Sequence, residues 1–177
     1  DVSIGQFLPD RCVHIRSYSK SHGPDLRIAA VGGAAEVIDP MVARRMLGPG
    51  WTSRLLQAVL LDLLTHADPQ ESVRQARIAY TRRGTLLREK LKDRGIAASP
   101  GDGINVWIPV EDERSALITL AAAGIRVAPG SPFVVTADST TPNAIRVTTG
   151  RLPDDEDRIE EVASIIARAA GAAGGAR

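Results

Sequence analysis

Ser17-Tyr18-Ser19-Lys20-Ser21-His22-Gly23-Pro24-Asp25-Leu26-Arg27 is the stretch on which the reading of this chain turns. It sets a lysine just past a short apolar run, with two serines before it and an arginine after it. A lysine amine condenses with an aldehyde to form a Schiff base. Serine hydroxyls and the planar donor fork of arginine grip a phosphate. Lys20 is therefore the candidate covalent anchor, and Ser17, Ser19 and Arg27 are the candidate phosphate ligands, for a phosphorylated aldehyde. The same residue types suit an ordinary surface turn; their full order, S-x-S-K-x-x-G-P-x-L-R, goes beyond that. Residues 11–19 read as a buried strand through Cys12, Val13, Ile15 and Tyr18. Gly23-Pro24-Asp25 is a turn signal, and residues 26–31 read as a second strand stopped by Gly32-Gly33. The pair is hairpin-like, with the lysine at its neck.

Working outward, Asp39-Pro40 is expected to open a short helix that ends by Gly48-Pro49-Gly50. Thr52 or Ser53 caps the next helix, whose Leu55, Leu56, Val59, Leu60, Leu63 and Leu64 form a wide stripe expected to be well buried. Asp68-Pro69-Gln70-Glu71 reads as a capping box opening a helix to Arg94, on the order of 40 Å long at 1.5 Å per residue. Its Arg74, Arg77, Arg82, Arg83, Arg88, Lys90 and Lys92 read as a solvated face. Gly95 fits a C-terminal cap. After it come strands at 104–109, 125–128 and 144–148, a helix from Asp112 to Ala123 and a last helix from Asp154 to Ala170. The tail 171–177 reads as frayed. Tyr80 and Trp107 read as core anchors, Cys12 as strand core and His22 as a turn residue.

The bulk numbers narrow the class. The 177 residues are 44% hydrophobic and 24% charged, which is globular in character. A net charge of +1 and 3% aromatics give no case for direct nucleic-acid binding by this segment. One cysteine makes no internal disulfide and fits a reducing cytoplasm. The three histidines lack metal-ligand spacing, so no metal site is expected. No apolar run is long enough for a membrane span. The start at Asp1, with no initiator methionine, reads as a fragment or a processed chain.

Arg146 is the second candidate. It sits inside a predicted strand between Ile145 and Val147, where an unpaired charge is costly. Such an arginine serves either a structural ion pair or a bound anion.

The lysine motif, together with Ala128-Pro129-Gly130-Ser131-Pro132-Phe133, Asn143-Ala144-Ile145-Arg146-Val147, the Leu47–Gln57 helix start and Gly103-Ile104-Asn105-Val106-Trp107-Ile108-Pro109, resembles class I/II aminotransferases of fold type I. The likeness covers nearly the whole chain and is strongest to the aminotransferase-like domain of MocR-type regulators of the GntR family. It implies an α/β fold, α+β within this stretch. Residues 1–66 would be the end of the large, cofactor-binding domain, 67–95 a connecting helix, 96–170 the small C-terminal domain and 171–177 a flexible tail. It also implies pyridoxal 5'-phosphate (PLP) as cofactor, held by Lys20 with Ser17, Ser19 and Arg27 about its phosphate, and Arg146 on the α-carboxylate of an amino acid. The chain resembles only the C-terminal half of such proteins. Their upstream glycine turn, ring-stacking aromatic and ring-nitrogen aspartate have no counterpart here. The implied activity, once joined to that half, is amino transfer between an amino acid and a keto acid by a cytoplasmic homodimer. The alternative is a sensor of PLP and amino acids within a transcription regulator, reaching DNA only through an N-terminal winged-helix domain. A third reading gives Lys20 and the arginines ion pairs alone.

Overall fold

The computed structural model describes residues 3–100, 103–135 and 143–171. The tail residues 172–177 lie outside them. The chain divides into two compact units, Asp1–Arg74 and Gln75–Arg177.

In the first unit, strands β1 (His14–Ser17) and β2 (Ala29–Gly32) pair antiparallel, from His14 opposite Gly32 to Ser17 opposite Ala29. The hairpin is as expected; its burial is not. Both strands are exposed throughout, and Ile15 is 67% exposed. Two strands alone cannot bury a face. The second strand also starts three residues later than expected, because Pro24–Leu26 forms a 3-10 turn and Arg27 turns left-handed at φ 49°.

Helix α1 (Ala35–Met46) begins well before Asp39, and Pro40 lies inside it. There the proline removes one i to i−4 hydrogen bond. Helix α2 (Arg54–Thr65) is capped by Ser53, whose side chain accepts from Leu56 N–H. Of its apolar stripe only Leu60 is buried, while Leu55 and Val59 are 73% and 41% exposed. The expected burial of this helix is therefore corrected. Cys12 is half-buried just ahead of β1.

Helix α3 (Ala67–Lys92) runs through the unit boundary. It ends in a double backbone bond: Gly95 N–H donates to Lys92 O and Ile96 N–H to Leu91 O. This 6→1, 5→2 pattern needs a left-handed residue between, and Gly95 supplies it at φ 78°.

In the second unit, β3 (Asn105–Pro109), β5 (Ala144–Thr148) and β4 (Ala128–Pro129) form an antiparallel sheet in the order β3-β5-β4. Of the expected 125–128 strand only Ala128 pairs with β5, and Pro129 beyond it extends the pairing. Helix α4 (Glu113–Ala122) starts on Asp112, which accepts Ser115 N–H, and α5 (Glu156–Ala169) starts on Asp155. Side chains alternate across a strand. Val106, Ile108, Ile145 and Val147 are accordingly buried with Leu87 and Leu91 of α3, Leu120 of α4 and Ile159 and Ile166 of α5. Each such side chain contributes roughly 1.5–3 kcal/mol by burial.

The basic run on α3 is not simply solvated. Arg83 Nε donates to Asp154 at 2.7 Å, Lys90 pairs with Glu156 at 3.2 Å and Glu160 at 3.5 Å, and Arg94 pairs with Glu160. These residues form a charged seam between α3 with Arg94 just past its end and α5 with Asp154 just ahead of it.

Candidate active site

The β1–β2 connection builds the surroundings of Lys20. The ladder runs one bond past Ser17, with Tyr18 N–H donating to Ile28 O at 3.1 Å. The chain then curls: His22 N–H donates back to Tyr18 O at 2.9 Å and Ser21 N–H to the same oxygen at 3.3 Å. Ser17 Oγ accepts Ser19 N–H at 3.4 Å. Lys20 stands exposed at the crest of this curl. Gly23 at φ 127° releases the chain into the 3-10 turn, where Leu26 is buried and pins the loop. Arg27 follows in the left-handed region, which costs a non-glycine residue on the order of 1–3 kcal/mol. His22 is indeed a turn residue; its Nδ1 lies 2.8 Å from Ser21 Oγ and its ring meets Tyr18 edge-on.

Ser17, Ser19, Lys20 and Arg27 thus share one short hairpin end. Among the described residues neither Lys20 nor Arg27 is ion-paired. One primary amine, two hydroxyls and a guanidinium are the donor set that a phosphorylated aldehyde requires, so the residues present fit such a group.

Arg146 belongs to the second unit and is described within it. Its register partners are Trp107 and Ala128, so the three share the outer face of the sheet, away from the core. Trp107 is therefore not the core anchor expected of it. Arg146 has no carboxylate partner among the described residues, and its Nε is buried without a hydrogen bond. Its guanidinium instead lies over the Phe133 ring, 4.5 Å from the centroid, and Phe133 meets Trp107 edge-on at 5.4 Å. Arg146 also lines an open cavity of about 540 Å³ with Arg126 and Arg151 at hand. The alternation of the strand points to Arg146, but nothing in the sequence alone points to the ring beneath it.

Glu113 carries no signal in the sequence that singles it out. Its Oε2 accepts Gly130 N–H and Ser131 N–H, each at 2.8 Å, and its Oε1 accepts Ser131 Oγ at 2.7 Å. Burial pushes this carboxyl up, but the bonds from Ser131 and Gly130 outweigh burial and hold it below the usual range. No helix among the described residues is long and apolar enough to cross a membrane.

A sequence model of the family "Aminotransferase class I and II" matches residues 8–166. The chain belongs to the class I and II aminotransferase family. Among curated proteins it is similar to the vitamin B6 salvage pathway transcriptional repressor PtsJ of Salmonella typhimurium, 38% identical over 143 residues, which cover 80% of this chain and 33% of that protein. Among solved structures it is similar to a tetra mutant of Thermus thermophilus aspartate aminotransferase, with TM-score 0.78 and 25% identity over 94% of this chain and 46% of that one. The α-aminoadipate aminotransferase LysN of Thermus thermophilus shares the fold at TM-score 0.77, with 19% identity over 95% of this chain and 44% of that one. The aminotransferase fold expected from sequence is thus present, and the chain spans between a third and a half of the length of these relatives.

Proposed function

We propose that the whole protein binds PLP through Lys20 and moves an amino group between an amino acid and a keto acid. The observation that carries this reading is the hairpin end, where Lys20, Ser17, Ser19 and Arg27 stand together, with neither Lys20 nor Arg27 ion-paired among the described residues. Lys20 Nζ would bond the aldehyde carbon, and Ser17, Ser19 and Arg27 would hold the phosphate. When bound, PLP supplies an electron sink at the amino-acid carbon. Arg146 would fix the α-carboxylate by its two-pronged donor edge. Its lack of a carboxylate partner among the described residues favours this role over a structural ion pair. Once free, Lys20 Nζ would take the α-proton and return it, acting as base and then acid. On this reading residues 1–66 end the large domain, 67–95 connect, and 96–170 form the small domain of a cytoplasmic homodimer.

A second reading is favoured by the likeness to a transcriptional repressor. The same site would bind PLP and an amino acid to report their presence, with no turnover. Steady-state formation of the donor's keto acid by the full-length protein with PLP, an amino-acid panel and an added keto-acid acceptor separates the two. Sustained release that is lost in Lys20→Ala is the result expected of an enzyme. Binding of PLP and amino acid with no release identifies the sensor.

A further inference from the structure

The turn beneath Arg146 is held from two sides. On one side, the Glu113 carboxylate collects the Gly130 and Ser131 amides and the Ser131 hydroxyl, three donors within 2.7–2.8 Å. Among the described residues no cation pairs with it, so these three bonds are what satisfy its charge. On the other side, Gly130 N–H is shared with Ala144 O at 2.8 Å, at the start of β5. The approach is so close that a Cβ at position 130 would collide with the Ala144 carbonyl. From this anchor the 3-10 turn Ser131–Phe133 begins, closed by Phe133 N–H donating to Gly130 O at 2.9 Å. It ends on the ring over which the Arg146 guanidinium lies, and Trp107 meets that ring from the side.

A guanidinium with a buried Nε and no carboxylate partner has few contacts to fix its plane. The aromatic face is the one that the described residues provide. We propose that Glu113 is a positioning residue for Arg146: by clamping the Gly130–Phe133 turn it holds the Phe133 ring so that the arginine fork faces an incoming carboxylate. This rests on the reading of Arg146 as the carboxylate-binding residue. Glu113 itself touches neither cofactor nor substrate.

The test compares Glu113→Ala, Glu113→Gln and Phe133→Leu with Asp112→Ala in the full-length, PLP-loaded protein. Asp112 caps the same helix through Ser115 N–H and makes no bond to the turn, so its loss reports helix α4 alone. The readout is the rate at which p-hydroxyphenylglyoxal modifies Arg146, read by peptide mass spectrometry against Arg126 in the same molecule. Saturation by L-alanine is followed in parallel. Glu113→Ala and Phe133→Leu should raise Arg146 labelling relative to Arg126 by about three- to fivefold, the scale of one ring–cation contact. They should raise the alanine concentration for half-saturation while leaving PLP retention unchanged. Glu113→Gln keeps one acceptor oxygen for the two amides and should restore most of both, while Phe133→Leu covers the case in which Glu113→Ala does not fold. Labelling at the wild-type rate in Glu113→Ala, or an equal rise in Asp112→Ala, would overturn the proposal. Arg146→Lys separates the two layers. If it weakens alanine binding and Glu113→Ala does not, only the Glu113 proposal fails. If it leaves alanine binding untouched, the Arg146 reading fails and the proposal goes with it.

Discussion

At residue scale, charge and backbone conformation are separable at Arg27 and Gly130. Arg27 occupies a left-handed conformation that glycine adopts at no steric cost. Arg27→Gly should therefore leave the unfolding midpoint unchanged or raised, while PLP affinity falls; urea unfolding and PLP titration measure the two. A parallel fall in both would show that the guanidinium supports the fold. Gly130 behaves oppositely. Its missing Cβ is what allows the backbone to approach Ala144 O, and the obstacle is main chain, which cannot swing aside. Gly130→Ala should cost on the order of 1–3 kcal/mol in urea unfolding. Arg146→Lys keeps the charge but loses the paired donors, so amino-acid binding should weaken far more than PLP binding, compared by titration of each. The lysine motif is legible in the sequence because its chemistry is carried by residue type and order. The left-handed Arg27 and the ring under Arg146 are not, because a backbone angle and a contact across 13 residues leave no mark on local composition.

At element scale, the seam between α3 and α5 shows what single-helix reading misses. Seven basic residues on α3 look solvated when that helix is considered alone. Two of them, Arg83 and Lys90, together with Arg94 just beyond the helix, find their carboxylates on Asp154, Glu156 and Glu160. Arg83 is the sheltered partner, its side chain only 14% exposed against 69% for Asp154. Asp154→Asn should lower the melting temperature. Arg82 acts on Asp154 through charge without a hydrogen bond to it, so Arg82→Gln should lower it less; calorimetry at low salt measures both. Helix ends are well marked where a cap or a glycine does the work, as at Ser53, Asp112 and Gly95. The start of α1 is hidden because Asp39-Pro40 carries the strongest opening signal in that stretch, yet the helix begins at Ala35 with no side-chain cap. The burial of β1 and α2 is not legible because an apolar pattern tells which face seeks cover, not whether this chain supplies it.

At the scale of the whole molecule, carboxylates set the acid limit. Burial pushes Glu113 up, but bonds from Ser131 and Gly130 hold it below its ordinary value; Ser115 bonds hold Asp112 there, Arg83 holds Asp154 and Arg94 holds Glu160. Ordinary values are about 3.9 for Asp and 4.3 for Glu. As pH falls through that range the unfolded chain takes up protons before the folded one does. The stability these carboxylates contribute is therefore fully present above about pH 5 and is lost as pH drops through the depressed values. Melting temperatures should fall steadily from about pH 5 to about pH 3, and less steeply in Asp154→Asn. The fold of the described residues in the second unit is largely legible because its strands and helices bury their apolar faces on one another. The central claim is that Lys20 carries PLP. It is tested most directly by the visible spectrum of the full-length protein with PLP, before and after borohydride reduction, followed by peptide mapping beside Lys20→Ala. A band that reduction fixes onto Lys20, absent from the variant, is the predicted result. A folded protein that shows no band, or that carries the reduced label elsewhere, would contradict it.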